Sequence, residues 1–100
     1  MSFSNIQSVS KAADASAIVG RTRVVGVYYT CSNTAASFSL KDGTTTAGTA
    51  KMTITTPAAA GGYDIIIPDM GILFDTGVFV DVSSAEVTSV TLLFEGGAVA

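Results

Sequence analysis

The segment VTSVTLLFE, residues 87–95, alternates apolar and polar side chains along most of its length. Val90, Leu92 and Phe94 fall on one side of an extended chain, and Thr91 falls on the other. A period of two residues is typical of a strand with one buried and one exposed face, as in an antiparallel sheet. The same period recurs in residues 37–41, 51–55 and 78–83.

Turn residues, mostly Gly, Pro and Asp, separate short segments rich in β-branched and aromatic residues, which is the usual strand signal. We predict strands at residues 22–31, 36–41, 49–56, 63–68, 71–75, 77–83 and 87–95, with a further strand near 16–20 as an alternative. Such spacing is typical of sandwiches and barrels. The predicted fold class is all-β: a single antiparallel β-sandwich, jelly-roll or Ig-like, of 7–8 short strands.

The domain division expected from the sequence is a flexible or extended N-terminal arm at residues 1–16 and a β-sandwich domain at residues 17–100. Residues 8–17 are the only stretch compatible with a helical period, so they form either a helical turn or an extended segment. The N-terminus lacks the basic and apolar regions of a signal peptide. We therefore expect the protein to be made and kept in a cytoplasm until assembly or lysis.

Charged residues make up 13% of the chain and hydrophobic residues 48%, whereas ordinary domains carry about 25% charged residues. The surface must therefore consist largely of small uncharged residues. Such a surface suits chains packed side by side in an assembly, and equally an extracellular or salt-adapted domain. The net charge is −3, and Arg21 with Arg23 is too small a group for a basic patch, so we expect no nucleic acid and no membrane as partners.

No catalytic site, cofactor or metal site is expected. The sequence has no histidine and one cysteine, Cys31, which excludes zinc and the Ser–His and Cys–His classes of nucleophile. Because Cys31 follows an apolar run, we interpret it as a small buried hydrophobe. Four aspartates lie near turns and are interpreted as turn residues, with a calcium site shared among loops as the alternative: Asp64, Asp69, Asp75 and Asp81.

Two segments break the alternation, because residues 24–29 and 65–67 are apolar on both faces. A strand of this kind is covered either by a loop of its own chain or by another subunit. We expect a subunit interface of a homo-oligomer, formed by residues that project away from the inferred core. The candidate interface residues are Val25, Val27, Tyr29, Ile66, Phe79 and Leu93.

The order of these segments resembles that of the small all-β virion structural proteins of marine tailed bacteriophages. The resemblance covers about residues 20 to 95 and rests on six runs: 24–30, 37–43, 54–57, 65–68, 71–74 and 87–91. It implies a non-enzymatic capsid decoration or cement protein that binds the outer head surface as an oligomer. It also implies the major capsid protein or other virion proteins as partners, and a location in the virion after assembly in the host cytoplasm.

Two other classes of function stay open. The first is a tail fibre or knob module that binds a host receptor or a glycan, with Tyr63 and the loops around Asp64 and Asp69 in contact with the ligand. The second is a small cytoplasmic enzyme that uses backbone groups and carboxylates alone.

Overall fold

The protein is described by a computed structural model over residues 6–100. Within these residues every regular element is a strand, and every strand pair is antiparallel, so the predicted all-β sandwich class is confirmed. The strands β1 to β8 span Gln7–Lys11, Ala15–Cys31, Ser37–Asp42, Thr49–Thr55, Gly61–Ile66, Ile72–Phe74, Gly77–Asp81 and Val87–Val99.

The long strand β2 organises the sheet. One of its edges pairs with β8 from Ile18 to Cys31. The other edge pairs in succession with β7, β6 and β5. Beyond these neighbours the sheet continues in the order β1-β8-β2-β7-β3-β4. A single strand therefore joins all parts of the fold.

The sheet folds into two layers because β2 and β8 turn a corner together. Gly20 on β2 and Gly96 and Gly97 on β8 have φ values of 90°, 80° and 66°, which glycine adopts without strain. The register between the two strands shifts from Val19 to Thr22 at the same place. Strands of sandwiches commonly pass between layers at such bends and bulges. The molecule's shortest dimension of 20 Å accommodates two layers spaced about 10 Å apart.

The first layer contains β3, β4, β7, the start of β2 and the end of β8, and the second layer contains β1, β5, β6 and the remainder of β2 and β8. Their inner faces share one hydrophobic core. The apolar residues that alternation placed inward are fully or almost fully buried there, except Met52, which is half-buried, and Cys31 is buried as predicted. These core residues include Phe38, Leu40, Ile54, Val78, Val80, Val82, Val90, Leu92 and Phe94.

The N-terminal part of the chain belongs to the sheet. β1 pairs with β8 from Gln7 to Lys11, and β2 begins at Ala15. The boundary expected after residue 16 between an N-terminal arm and the sandwich domain therefore falls inside β2. Residues 8–17 contain no helical turn, and the extended alternative describes them. The remainder of the expected arm, residues 1–5, lies outside the described residues.

A protruding turn at residues 68–71 separates β5 from β6, although both strands run along the same edge of β2. The Gly71 amide donates a hydrogen bond to the Pro68 carbonyl oxygen at 3.1 Å. The two central residues, Asp69 and Met70, have φ values of 56° and 68°. Left-handed conformation is common for Asp but costs a long side chain such as Met about 1 kcal/mol or more.

Asp42, at the end of β3, holds the turn that joins β6 to β7. Its carboxylate oxygens accept hydrogen bonds from the backbone amides of Asp75 at 3.1 Å and Thr76 at 2.9 Å. The Gly20 amide in turn donates to the Thr76 carbonyl oxygen at 2.9 Å. Backbone hydrogen bonds hold the pKa of the Asp42 carboxyl below its ordinary value, and the hydrogen bond from Thr76 has the largest effect. The carboxylate thus fastens the turn beside the corner of β2.

Asp42→Asn tests this role through its pH dependence. A carboxyl with a lowered folded-state pKa stabilises the fold above its unfolded pKa of about 3.9, and this contribution is lost as the pH falls through the folded pKa. We expect the substitution to lower the free energy of unfolding by about 1.5 kcal/mol at pH 7. The difference from the native chain should shrink below the pH at which the native carboxyl is protonated. Urea unfolding across this pH range measures it.

The control is Asp64→Asn, because Asp64 is an exposed carboxylate on β5 with no role in the turn. It should change the stability by much less at neutral pH. A loss for Asp42→Asn that is independent of pH would contradict an ionic role for Asp42.

Candidate functional site: the outer face of the second layer

The outer face of the second layer carries exposed apolar side chains in the middle of a sheet. We use the name outer face for Val25, Tyr28, Ile66 and Leu93 with the hydroxyl residues beside them. Ile66 is 71% exposed and Tyr28 45% exposed, while Val25 and Leu93 are half-buried. Gly26 pairs with both Ile66 and Leu93, so a row of apolar side chains crosses three strands.

A bulge at Val25 determines which residues of β2 reach this face. Val24 pairs with Phe94, but Gly26 pairs with Leu93, so β2 has one extra residue at this point. The extra residue reverses the alternation: Val24, Val27 and Tyr29 all point into the core. The expectation that Val27 and Tyr29 project outward with Val25 was therefore wrong, and these side chains are 1% and 5% exposed.

Gly26 also allows the face to pack closely. A Cβ at this position would lie 3.2 Å from Cδ1 of Leu93, so Leu93 lies over the glycine backbone. Gly in the interior of a strand often marks a bulge or a close approach of this kind. The predicted Leu93 and Ile66 are thereby brought together with Val25 on one face.

Phe79, the remaining predicted interface residue, lies apart from this face. It is on β7 in the first layer, where it pairs with Ser16 and Lys41. It points away from the core, as expected, but in the isolated chain it is only 8% exposed. On the same side of the layer the Lys41 ammonium pairs with the Asp81 carboxylate at 2.7 Å. Phe79 is therefore covered by its own chain.

Hydroxyl groups beside the apolar row bond to each other across strands. Ser10 Oγ lies 2.6 Å from Thr91 Oγ1, and Thr30 Oγ1 lies 2.5 Å from Thr88 Oγ1 and 2.6 Å from Ser89 Oγ. Cross-strand Thr and Ser pairs stabilise a sheet modestly. Each contact uses part of the hydrogen-bonding capacity of two uncharged hydroxyls, so this portion of the face is neutral.

The aromatic residue exposed on this face is Tyr28. Its side chain lies over Gly62 on the edge strand β5, where an added Cβ would overlap the Tyr28 hydroxyl. An aromatic ring that covers a glycine of an edge strand stabilises that strand. The alternation of apolar and polar residues did not show which of Tyr28 and Tyr29 faces outward, because the bulge at Val25 determines it.

Tyr63, which the glycan hypothesis placed at a ligand, packs inward instead. Its ring stacks on that of Tyr29 at 5.6 Å between centroids, and its hydroxyl donates to the Ala59 carbonyl oxygen at 3.0 Å. Tyr29 also contacts Phe38 edge-on at 5.4 Å. Burial raises the pKa of the Tyr29 hydroxyl, and the neighbouring Cys31 and Tyr63 raise it further by smaller amounts. This aromatic cluster is part of the core.

The turn aspartates do not converge. Asp75 lies 3.8 Å from the Arg21 guanidinium, and Asp81 is paired with Lys41. No group of three or more His, Cys, Asp or Glu side chains among residues 6–100 is arranged to hold a metal ion. Nor does this part of the chain include a helix of the length and apolar character needed to cross a membrane.

Comparisons of the chain with protein-family models, with curated proteins and with solved structures found no match.

The contact between Tyr28 and Gly62 can be measured with a double-mutant cycle. Gly62→Ala should lower the free energy of unfolding by about 0.5 to 1.5 kcal/mol, because the new methyl group must displace the exposed Tyr28 ring from its rotamer. In a Tyr28→Ala background the same change should cost much less, since the overlapping group is absent. Equal costs in both backgrounds, measured by denaturant unfolding, would show that Tyr28 does not lie over Gly62 in solution.

Proposed function

We propose that the protein is a non-enzymatic structural protein of a virion, a capsid decoration protein that binds the outer head surface as a homo-oligomer. The observation that carries the proposal is the outer face: a row of apolar side chains that runs from β8 across β2 to Ile66, which is 71% exposed on the edge strand β5. Scattered apolar residues are ordinary on a protein surface, but a contiguous row flanked by polar residues is typical of an interaction site.

The composition of the outer face favours contact with another protein. Its paired hydroxyls can keep their mutual hydrogen bonds when a partner covers them, so only their remaining donors and acceptors need partners across the contact. Apolar area removed from water contributes about 25 cal/mol per Å². Charged residues lie at the borders of the outer face. On β5, Asp64 is the register partner of Tyr28. Beyond Leu93, Arg23 on β2 pairs in register with Glu95 on β8.

The low charge of the whole chain supports the same proposal. With charged residues at 13%, the molecule has little electrostatic repulsion to keep it apart from copies of itself. Repeated attachment to a symmetric particle would make weak individual contacts long-lived. The major capsid protein is the partner that this proposal names.

Ile66→Glu is the direct test of the outer face. If copies associate through it, the native chain should form oligomers as its concentration rises, and the substitution should shift it to monomer because a carboxylate would be buried against apolar groups. Light scattering coupled to size-exclusion chromatography measures the mass. Since Ile66 is largely exposed, the substitution should change the stability of the monomer by less than about 0.5 kcal/mol.

Val99→Glu is the matched control, because Val99 is another exposed apolar residue, 49% exposed, at the far end of β8. It should leave association intact. Mass spectrometry of purified particles then tests the virion assignment: many copies per particle favour head decoration, and a few favour a tail or vertex. A native chain that stays monomeric at high concentration and is absent from particles would refute the proposal.

A fibre or knob module that binds a glycan is the second candidate, and the observation that favours it is Tyr28. Its exposed ring over Gly62, with Asp64 opposite in the register, could stack on a sugar whose hydroxyls bond to the carboxylate. Glycan-array binding that is lost in Tyr28→Ala would favour this candidate over head decoration.

A further inference from the structure

A cavity of about 260 Å³ opens at the corner where β2 and β8 pass between the layers. Arg21 and Arg23 line it from β2, Glu95 from β8, Leu73 from β6 and Met70 from the protruding turn. Thr22, between the two arginines, points inward and donates its hydroxyl to the carbonyl oxygens of Glu95 at 3.0 Å and Gly96 at 3.1 Å. These hydrogen bonds hold the two strands that form the floor of the cavity.

The arginine charges in this cavity are poorly compensated. Arg23 is half-buried, and within the described part of the chain it forms no ion pair, although Glu95 is its register partner on β8. Arg21 lies 3.8 Å from Asp75, but both side chains are more than 60% exposed, and exposed pairs at this separation contribute little. By contrast, Lys41 is paired with Asp81 at 2.7 Å. Arg23 therefore presents five N–H donors with no carboxylate to accept them.

The opposite side of the cavity is apolar. Leu73 pairs with Arg23 across β2 and β6, and Met70 is 69% exposed at the tip of its turn. Met70 holds this position at a φ of 68°, which a glycine would adopt at lower cost. Strained backbone is often found at ligand-binding positions, where the surrounding structure compensates for its cost. The cavity thus combines guanidinium groups on one side with a flexible thioether and a leucine on the other.

We propose that this cavity binds a small amphipathic carboxylate, with its carboxylate on Arg23 and Arg21 and its apolar group against Met70 and Leu73. A planar guanidinium matches a carboxylate with two parallel hydrogen bonds, which neither an alcohol nor an amine can reproduce. Glu95 disfavours a second negative charge, so the site selects monocarboxylates over dicarboxylates. This inference goes beyond the proposed virion role and does not depend on it.

Hexanoate is a suitable probe, and chemical-shift titration of the ¹⁵N-labelled protein is the measurement. For a ligand of about eight heavy atoms we expect a saturable Kd on the order of 1 mM. The shifts should be confined to the cavity, at the amides of Arg23, Leu73 and Gly96. Hexan-1-ol and hexylammonium, which have the same number of carbon atoms without the negative charge, should bind at least tenfold more weakly.

Variants separate the two halves of the site. Arg23→Gln should weaken hexanoate binding at least tenfold and leave the rest of the spectrum unchanged, whereas Lys11→Gln, which removes a positive charge from β1, should have little effect. Met70→Gly should weaken binding through the loss of apolar contact while raising the stability of the fold. Ile66→Glu should leave binding intact, so failure here is distinguishable from failure of the assembly proposal.

Three results would overturn the proposal. The first is the absence of saturable shifts at hexanoate concentrations well above the millimolar range. The second is hexanoate affinity that Arg23→Gln does not change. The third is equal or tighter binding of hexylammonium, which would assign the recognition to Glu95.

Discussion

The pairing of β2 with β8 is the interaction on which the rest of the structure depends. Among residues 6–100, these two strands alone contribute to both layers, and they turn the corner side by side at Gly20 and at Gly96 and Gly97. Every other strand except β3 and β4, including the edge strand β1, pairs directly with one of them. The Thr22 hydroxyl, bonded to the β8 backbone at the corner, keeps the two strands in register where their hydrogen-bond ladder is interrupted.

Several of the charged groups of the chain fasten turns or join neighbouring strands. Asp42 fastens the turn at residues 75–76, and the Asp14 carboxylate accepts the Val82 amide at 2.5 Å beyond the end of β7. Lys41 and Asp81 join β3 to β7 over the covered Phe79. The outer face, in contrast, carries apolar and hydroxyl side chains at its centre.

The candidate sites follow from departures from regular alternation. Residues 24–29 are apolar without interruption, so their composition cannot say which side chains face outward. The bulge at Val25 decides it, sending Val27 and Tyr29 inward and leaving Tyr28 exposed. The corner cavity has a similar origin. Arg21 and Arg23 share a strand face in any extended chain, but Met70 and Glu95 join them only because the turn at residues 68–71 and β8 meet at that corner.

The sequence by itself determined the all-β class, the segments that become strands and the inward residues of β3, β7 and β8, because burial of one face requires a period of two. Only the tertiary structure decided the bulges, the corner and the inclusion of β1, whose single apolar residue, Val9, carries almost no signal. A one-residue shift in register reverses the faces of every residue that follows it. Such a shift depends on the neighbouring strand, which lies far away in the chain, so the local pattern of residues does not contain it.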